Sequence, residues 1–299
     1  MKAHPSRALV WLGLILISAL ALTSCGKKTA KEEGPAMWHL ADTDSDIYLF
    51  GTFHLLPDKL DWQRPAMIAA FDKSSILIME ADINGAAPGD VVNLIKKYGV
   101  APADRPLRSR LTPEQVAKYE KTTGALGLDP AMLDPYEPWY AATVLTLKYA
   151  EKHGLEASQG AEEKLIKAAE TENKPTAYLE TIEEQIQFLA GLPEQTQNEM
   201  FIATLDELET SDQVLGDMQN AWIKGDTKAM AGLFDKSVRD IPDLYNVLIR
   251  DRNKRWADEI EKLMAGSGKV FIAVGAGHLV GDDSVVALLR QRGFEIEGP

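Results

Sequence analysis

Apolar positions along the chain follow two rhythms, and the switches between them lay out its elements. Four short runs carry no helical period: Ile47-Tyr48-Leu49-Phe50, Ile76-Leu77-Ile78-Met79, Ala177-Tyr178-Leu179 and Val270-Phe271-Ile272-Ala273-Val274. Runs of this length predict strands, and the unbroken ones predict strands buried on both faces. Each run ends in a residue with chemistry. Glu80 follows Met79, Glu180 follows Leu179, and His54 and His278 each stand three residues after a glycine, Gly51 and Gly275. A strand that ends in Gly-x-x-His lifts the imidazole onto the loop at its carboxyl end, the edge at which open α/β sheets bind ligands. Upstream, Trp38–Leu40 and Ile47–Phe50 flank the Asp-rich turn 42–46 and predict a hairpin.

The other rhythm is helical. Pro65–Lys73 presents Met67, Ile68, Ala70 and Phe71 on one face, and 90–158 reads as helices joined by turns. Thr112-Pro113-Glu114-Gln115 and Thr181-Ile182-Glu183-Glu184 are capping boxes that open helices, the second leading into Ile186, Phe188 and Leu189. Further helices are expected at 161–172, in two or three pieces across 193–236 with a break at Gly225-Asp226, and at 284–292 before a last strand at 294–296. The longest, 242–264, places Leu244, Leu248, Trp256, Ile260, Leu263 and Met264 on one face, with Arg252 and Asn253 inside that stripe. Polar groups turned toward a core are costly unless paired, so this step predicts a polar pocket. His39 in the hairpin and His153 before Gly154, near a helix end, read as structural.

The first two dozen residues change the picture. Lys2 and Arg7 precede an almost wholly apolar stretch, 8–22, that ends in Leu22-Thr23-Ser24-Cys25. This is the layout of a secretory signal, residues 1–24, and Leu22-Thr23-Ser24-Cys25 across its end resembles a bacterial lipobox, in which the cysteine is acylated and becomes the first mature residue. Cys25 is the one cysteine of the 299 residues, so no intrachain disulfide forms, and residues 25–36 are expected to be a flexible tether. Gly26 follows the cysteine where an inner-membrane retention signal has Asp. The expected location is therefore the bacterial outer membrane, facing the periplasm. Formal charge is -13, and loss of Lys2 and Arg7 with the signal makes the body more acidic still, which excludes nucleic acid as a partner.

The chain has no Gly-x-Ser-x-Gly elbow, no His-Glu-x-x-His helix and no Gly-Lys-Ser phosphate loop. What remains is His54, His278 and Glu80 at strand ends, with Arg252 and Asn253 arriving from a helix and Glu180 as a second-ranked carboxylate. Two imidazoles and a carboxylate suit a divalent ion such as Mn, Co or Zn, which would activate water for hydrolysis. Arg252 would then face a substrate carboxylate or oxyanion, and Asn253 would donate a hydrogen bond. A metal-free site with one histidine as general base is equally open from the residues alone.

These residues, in this order, resemble the TraB/GumN family, which includes pheromone-shutdown proteins and the Tiki proteases. The resemblance rests on Tyr48 to His54, Met79-Glu80, Tyr178 to Thr181 with Glu184-Gln185, Arg252-Asn253 with Trp256, and Val274 to Gly281. It implies an α/β fold akin to the erythromycin-esterase and ChaN-like proteins over residues 37–299. Such a fold has a central mixed sheet, helices on both faces and a large helical insertion at about 90–265. It further implies catalytic residues His54, Glu80, His278, Arg252 and Asn253, with His54, Glu80 and His278 as metal ligands of a peptidase. Ser158-Gln159-Gly160-Ala161 departs from relatives, which often have Gly, a hydrophobic residue and Asp there. The alternative function is a lipoprotein that binds a peptide, a metal or haem without turnover.

Overall fold

The computed structural model describes residues 34–299 apart from 83, 84, 86 and 210. The expected signal, Cys25 and most of the tether lie outside the described residues. A six-stranded mixed sheet runs in the order β6-β4-β7-β2-β1-β8. Its inner part is parallel: β2 (Ser45–Thr52) pairs with β7 (Gly268–Gly275), β7 with β4 (Ile76–Ala81), and β4 with β6 (Thr176–Glu180). The hairpin from β1 (Met37–Ala41) adds an antiparallel strand to β2, and β8 (Ile296–Glu297) closes that side.

Neighbouring residues on the inner strands point to opposite faces, and both faces are covered. That is why these strands read as unbroken apolar runs. Phe50, Leu77, Met79 and Phe271 face α1 (Pro65–Lys73), α5 (Ala161–Glu172), α8 (Ser211–Ile223) and α9 (Thr227–Val238). Leu49, Ile78, Ile272 and Val274 face α11 (Asp251–Met264) and α12 (Val285–Gln291). Each of these large side chains is nearly or fully buried, a contribution of about 1.5–3 kcal/mol apiece.

A third core belongs to the helices alone. It joins α2 (Pro88–Tyr98), α3 (Pro113–Ala125), α4 (Pro138–Lys152), α6 (Ile182–Ala190), α7 (Glu194–Leu208) and α10 (Pro242–Tyr245) around Tyr119, Trp139 and Phe201. Because β6 is part of the central sheet, the helical span consists of two excursions, one on each side of that strand. The capping boxes at Thr112 and Thr181 form as their sequences require. His39 bonds Asp46 at 2.9 Å and stacks on Tyr48, while His153 caps α4 and contacts Tyr149 O at 2.7 Å; both are structural.

Two features depart from the sequence pattern. The 242–264 segment is not one regular helix: α10 passes through a π turn, Asn246–Arg250, before α11 begins. A two-residue ladder, β3 (Leu56–Pro57) with β5 (Leu155–Glu156), also ties the loop after β2 to the start of α5. Strands this short carry no periodicity and leave no sequence signal.

Candidate functional site

All four parallel strands end at one edge, and the groups that terminate them meet there. Two close approaches hold the histidine loops in place. A Cβ at Gly51 would lie 3.1 Å from both Cα and Cβ of Ala276, so glycine lets the two loops touch. Trp222 Nε1 donates to Gly51 O at 2.8 Å and fixes the first loop from behind.

Arg252 is the hub. Its Nε donates to Glu180 Oε1 and Oε2 at 3.0 and 3.1 Å, and its Nη2 donates to Glu80 Oε2 and Glu180 Oε2, both at 2.8 Å. Nη1 donates to Leu248 O at 3.2 Å and lies 3.1 Å from His278 Nε2. All five N–H groups are thereby engaged. The guanidinium stacks over Trp256, its carbon 4.6 Å from the ring centre. Arg252 therefore shapes the site, and every donor it would offer a substrate is already in use. Glu180 is buried, and besides Arg252 it accepts from Arg255 at 2.8 Å and from Trp256 Nε1 at 3.1 Å. Ranked second in the sequence, it is the carboxylate that anchors the arginine.

Glu80 accepts from Gly275 N at 2.6 Å through Oε1. Burial alone would raise its carboxyl. Arg252, His54 and the Gly275 N–H outweigh that and hold it below its ordinary value; a charged His278 would add to this only in strong acid. Of these, Arg252 and the amide carry their positive ends at every working pH, and they are the causes that keep Glu80 ionised. For His278, burial and Arg252 outweigh the pull of Glu80, and the ring is depressed to about 3. His278 is thus neutral. Its Nδ1 lies 2.7 Å from Asn253 Oδ1, and Asn253 Nδ2 donates to Asp283 O at 2.8 Å. With the amide so oriented, the ring proton sits on Nδ1 and Nε2 keeps its lone pair. The Asp283 carbonyl thus orients the Asn253 amide, which sets the tautomer of His278, while Tyr245 OH donates separately to Asp283 Oδ2 at 2.8 Å. Fully buried Asn253 acts through His278, with its donor turned away from the pocket.

His54 is the exposed member, with 64 % of its side chain open to solvent. Its Nδ1 lies 2.7 Å from Glu162 Oε1, an ion pair in the first turn of α5. The approach falls outside hydrogen-bond geometry, because that buried oxygen makes no hydrogen bond among the described residues. Attraction to Glu162 is the largest influence on the ring and raises it to about 9, against the effect of burial. Water at the open edge screens part of that attraction. Gly160 brings this carboxylate in: a Cβ there would lie 2.3 Å from His54 O, and Ala161 N donates to Phe53 O at 3.1 Å. Gly160-Ala161-Glu162 thus supplies, with Glu in place of Asp, the acid that the Ser158–Ala161 stretch lacked. Glu162 is the site residue that sequence reasoning missed. Its signal was the small residues Gly160-Ala161 directly before an acid at a helix start.

The three expected metal ligands border one space beside Gly275, without the spacing of a formed ion site. His278 Nε2 is 3.9 Å from Glu80 Oε1, and the cationic guanidinium of Arg252 is nearer to that nitrogen. Among the described residues no group of three or more His, Cys, Asp or Glu is set out to hold a metal ion. Gly275 borders the space between the three side chains. A Cβ on it would lie 3.2 Å from Glu80 Oε1, 3.6 Å from His278 Cδ2 and 3.7 Å from His54 Nε2.

An α/β sheet with two Gly-x-x-His loops, a glutamate and an Arg-Asn helix step at its carboxyl edge defines the class, and the chain belongs to the TraB/PrgY/gumN family, matched over residues 36–298. It is 27% identical over 248 residues to the protein YbaP of Escherichia coli (strain K12), covering 82% of this chain and 88% of that one. A protein of Treponema pallidum (strain Nichols) is 25% identical over 317 residues, 95% of this chain and 91% of its own length. Similarity also reaches the metalloprotease TIKI2 of Danio rerio, 31% identical over 160 residues, 44% of this chain and 31% of that protein. No solved structure matches.

Proposed function

We propose that the chain is a hydrolase acting on peptides, with His54 as the group that moves the proton. The observation that carries this reading is His54 itself: Nδ1 paired to Glu162, Nε2 beside the opening at Gly275, and water within reach. A carboxylate on the far nitrogen makes an imidazole a stronger base and stabilises the imidazolium that forms. Water then gives a proton to Nε2 as its oxygen attacks the carbonyl carbon, and Nε2 returns that proton to the leaving amine. Glu80, Arg252 and His278 form the fixed polar wall opposite. The similarity to a protein named a metalloprotease supports the peptide bond as target. No step here is routed through Mn, Co or Zn; a bound ion would be held by His54, Glu80 and His278 and would supply activation of the water.

The reading further places the protein at the cell envelope through a lipid on Cys25, supported by Leu22-Thr23-Ser24-Cys25. Labelling with a palmitate analogue tests this, since Cys25→Ser should abolish the label.

Activity is tested on tag-free protein against peptide libraries, with and without EDTA and with Mn, Co or Zn added. His54→Ala should lower turnover by about 10²-fold or more, the usual worth of a positioned acid–base group. Because a raised His54 is mostly protonated at pH 7, the metal-free rate should climb as pH rises through about 9. Full activity in both His54→Ala and His278→Ala would sink the hydrolase reading. Metal-dependent activity flat in pH from 6 to 9 would overturn the proton role of His54.

A further inference from the structure

The sheet has one open edge long enough to take a partner. β6 pairs with β4 on one side only, and among the described residues no other backbone group bonds to residues 176–180 from the other. The opposite edge strand, β8, is two residues long. Exposed edges are usually blunted by charge, proline or a covering element. Pro175 stops one residue short of β6, and Thr176-Ala177-Tyr178-Leu179 is uncharged and half-buried.

Beside this edge lies a groove of about 490 Å³ between β6 and α11, with Ile78 in its lining. Ala177, Leu179 and Leu263 are half-buried there and extend the apolar face of the α11 core. Its rim charges are already answered: Lys262 bonds Glu259 at 2.7 Å, Arg292 bonds Asp258 at 2.7 Å, and Arg255 bonds Glu180 at 2.8 Å. With its rim charges paired to one another, the groove offers an occupant the apolar strip of Ile78, Ala177, Leu179 and Leu263, which favours uncharged, apolar side chains there.

The groove also has a direction. From Leu263 to Arg255 along α11 is about 12 Å, the reach of about four extended residues. At the Arg255 end it meets Glu180, which holds Arg252 and stands next to Glu80. β6 itself runs toward the same edge.

We infer that the open edge of β6 and the adjoining groove bind about four residues of an extended peptide as an added strand, with apolar side chains at alternate positions set against Ala177, Leu179 and Leu263, and that this strand delivers the peptide to the edge where His54 stands. This rests on the peptide-hydrolase reading for its substrate, and the binding step is measurable without it. In β-strand addition, main-chain hydrogen bonds supply affinity and alternate side chains supply selectivity.

The test uses the His54→Ala chain, whose turnover is lowered by about 10²-fold or more in this reading, and a fluorescein-labelled peptide of alternating valine and threonine. Anisotropy should report binding. N-methylation at successive positions should weaken it by about five- to tenfold at every second residue and leave the residues between unaffected, since each blocked amide loses one hydrogen bond. Leu263→Asp should weaken binding as well, and the N-methyl series needs no change in the protein. No binding, or N-methyl losses without a two-residue period, overturns the inference. Periodic binding with no cleavage by the unsubstituted chain would instead overturn the hydrolase reading and leave the strand-addition site standing.

Discussion

Glu162→Gln isolates the contact that sequence reasoning missed. The substitution keeps the shape of the side chain and removes the charge 2.7 Å from His54 Nδ1. Glu162 is the largest cause that lifts this ring from 6.5 to about 9, so the variant should titrate back toward 6.5. A shift of that size unscreened corresponds to about 3 kcal/mol, but a ring two-thirds open to water keeps only a surface-pair fraction of it, roughly 0.5–1 kcal/mol. The sign follows from linkage. A folded pKa above the unfolded one gives stability that is complete below 6.5 and is lost as pH rises through 9. Glu162, whose own carboxyl is lowered in the fold, adds the opposite limb, lost as pH falls below its ordinary 4.5. Urea unfolding of both proteins at pH 5.5, 7.5 and 9.5 should therefore show the widest gap at 5.5 and almost none at 9.5. Proton NMR of the His54 ring, assigned by its loss in His54→Ala, gives the pKa directly. An unchanged His54 pKa in Glu162→Gln would refute the pairing and with it the proposed base.

Four other substitutions probe the surrounding frame. Glu180→Gln strips the buried partner from Arg252 and should cost about 3–5 kcal/mol in chemical denaturation, as for one side of a buried ion pair. Asn253→Ala removes the acceptor that holds the His278 ring proton on Nδ1 and should change the ¹⁵N shifts of that ring, whereas Tyr245→Phe, which leaves the Asp283 carbonyl untouched, should leave them unchanged and lower stability by about 1 kcal/mol, one hydrogen bond. Gly160→Ala puts a Cβ 2.3 Å from His54 O, so the loop must move; peptide turnover should fall while the far-UV spectrum stays that of the parent.

How far the sequence reached can be judged residue by residue. The strand ends were legible because burial on both faces writes an unbroken apolar run, and a polar residue that ends such a run stands out. Both capping boxes were legible because their chemistry is complete within four residues. Glu162 was not: its partner is more than a hundred residues upstream, and the β3–β5 ladder that joins them is too short to leave a pattern. The partners of Arg252 and Asn253 were not legible either, since polar residues inside an apolar stripe point to a polar pocket without saying which of their donors are free. Only the folded chain shows that Arg252 has none left.

The π turn at Asn246–Arg250 carries one residue more than an α turn, so about five residues there rotate the chain nearly as far as about four would in a regular helix. The Asp251 N–H accordingly reaches back to Asn246 O. Removing one residue between 246 and 250 would close this turn to an ordinary α-helix and leave the packed helices on either side where they are. In this fold a one-residue deletion there should be far less damaging than loss of the arginine, although the same deletion in the regular part of α11 would turn its buried face off the sheet.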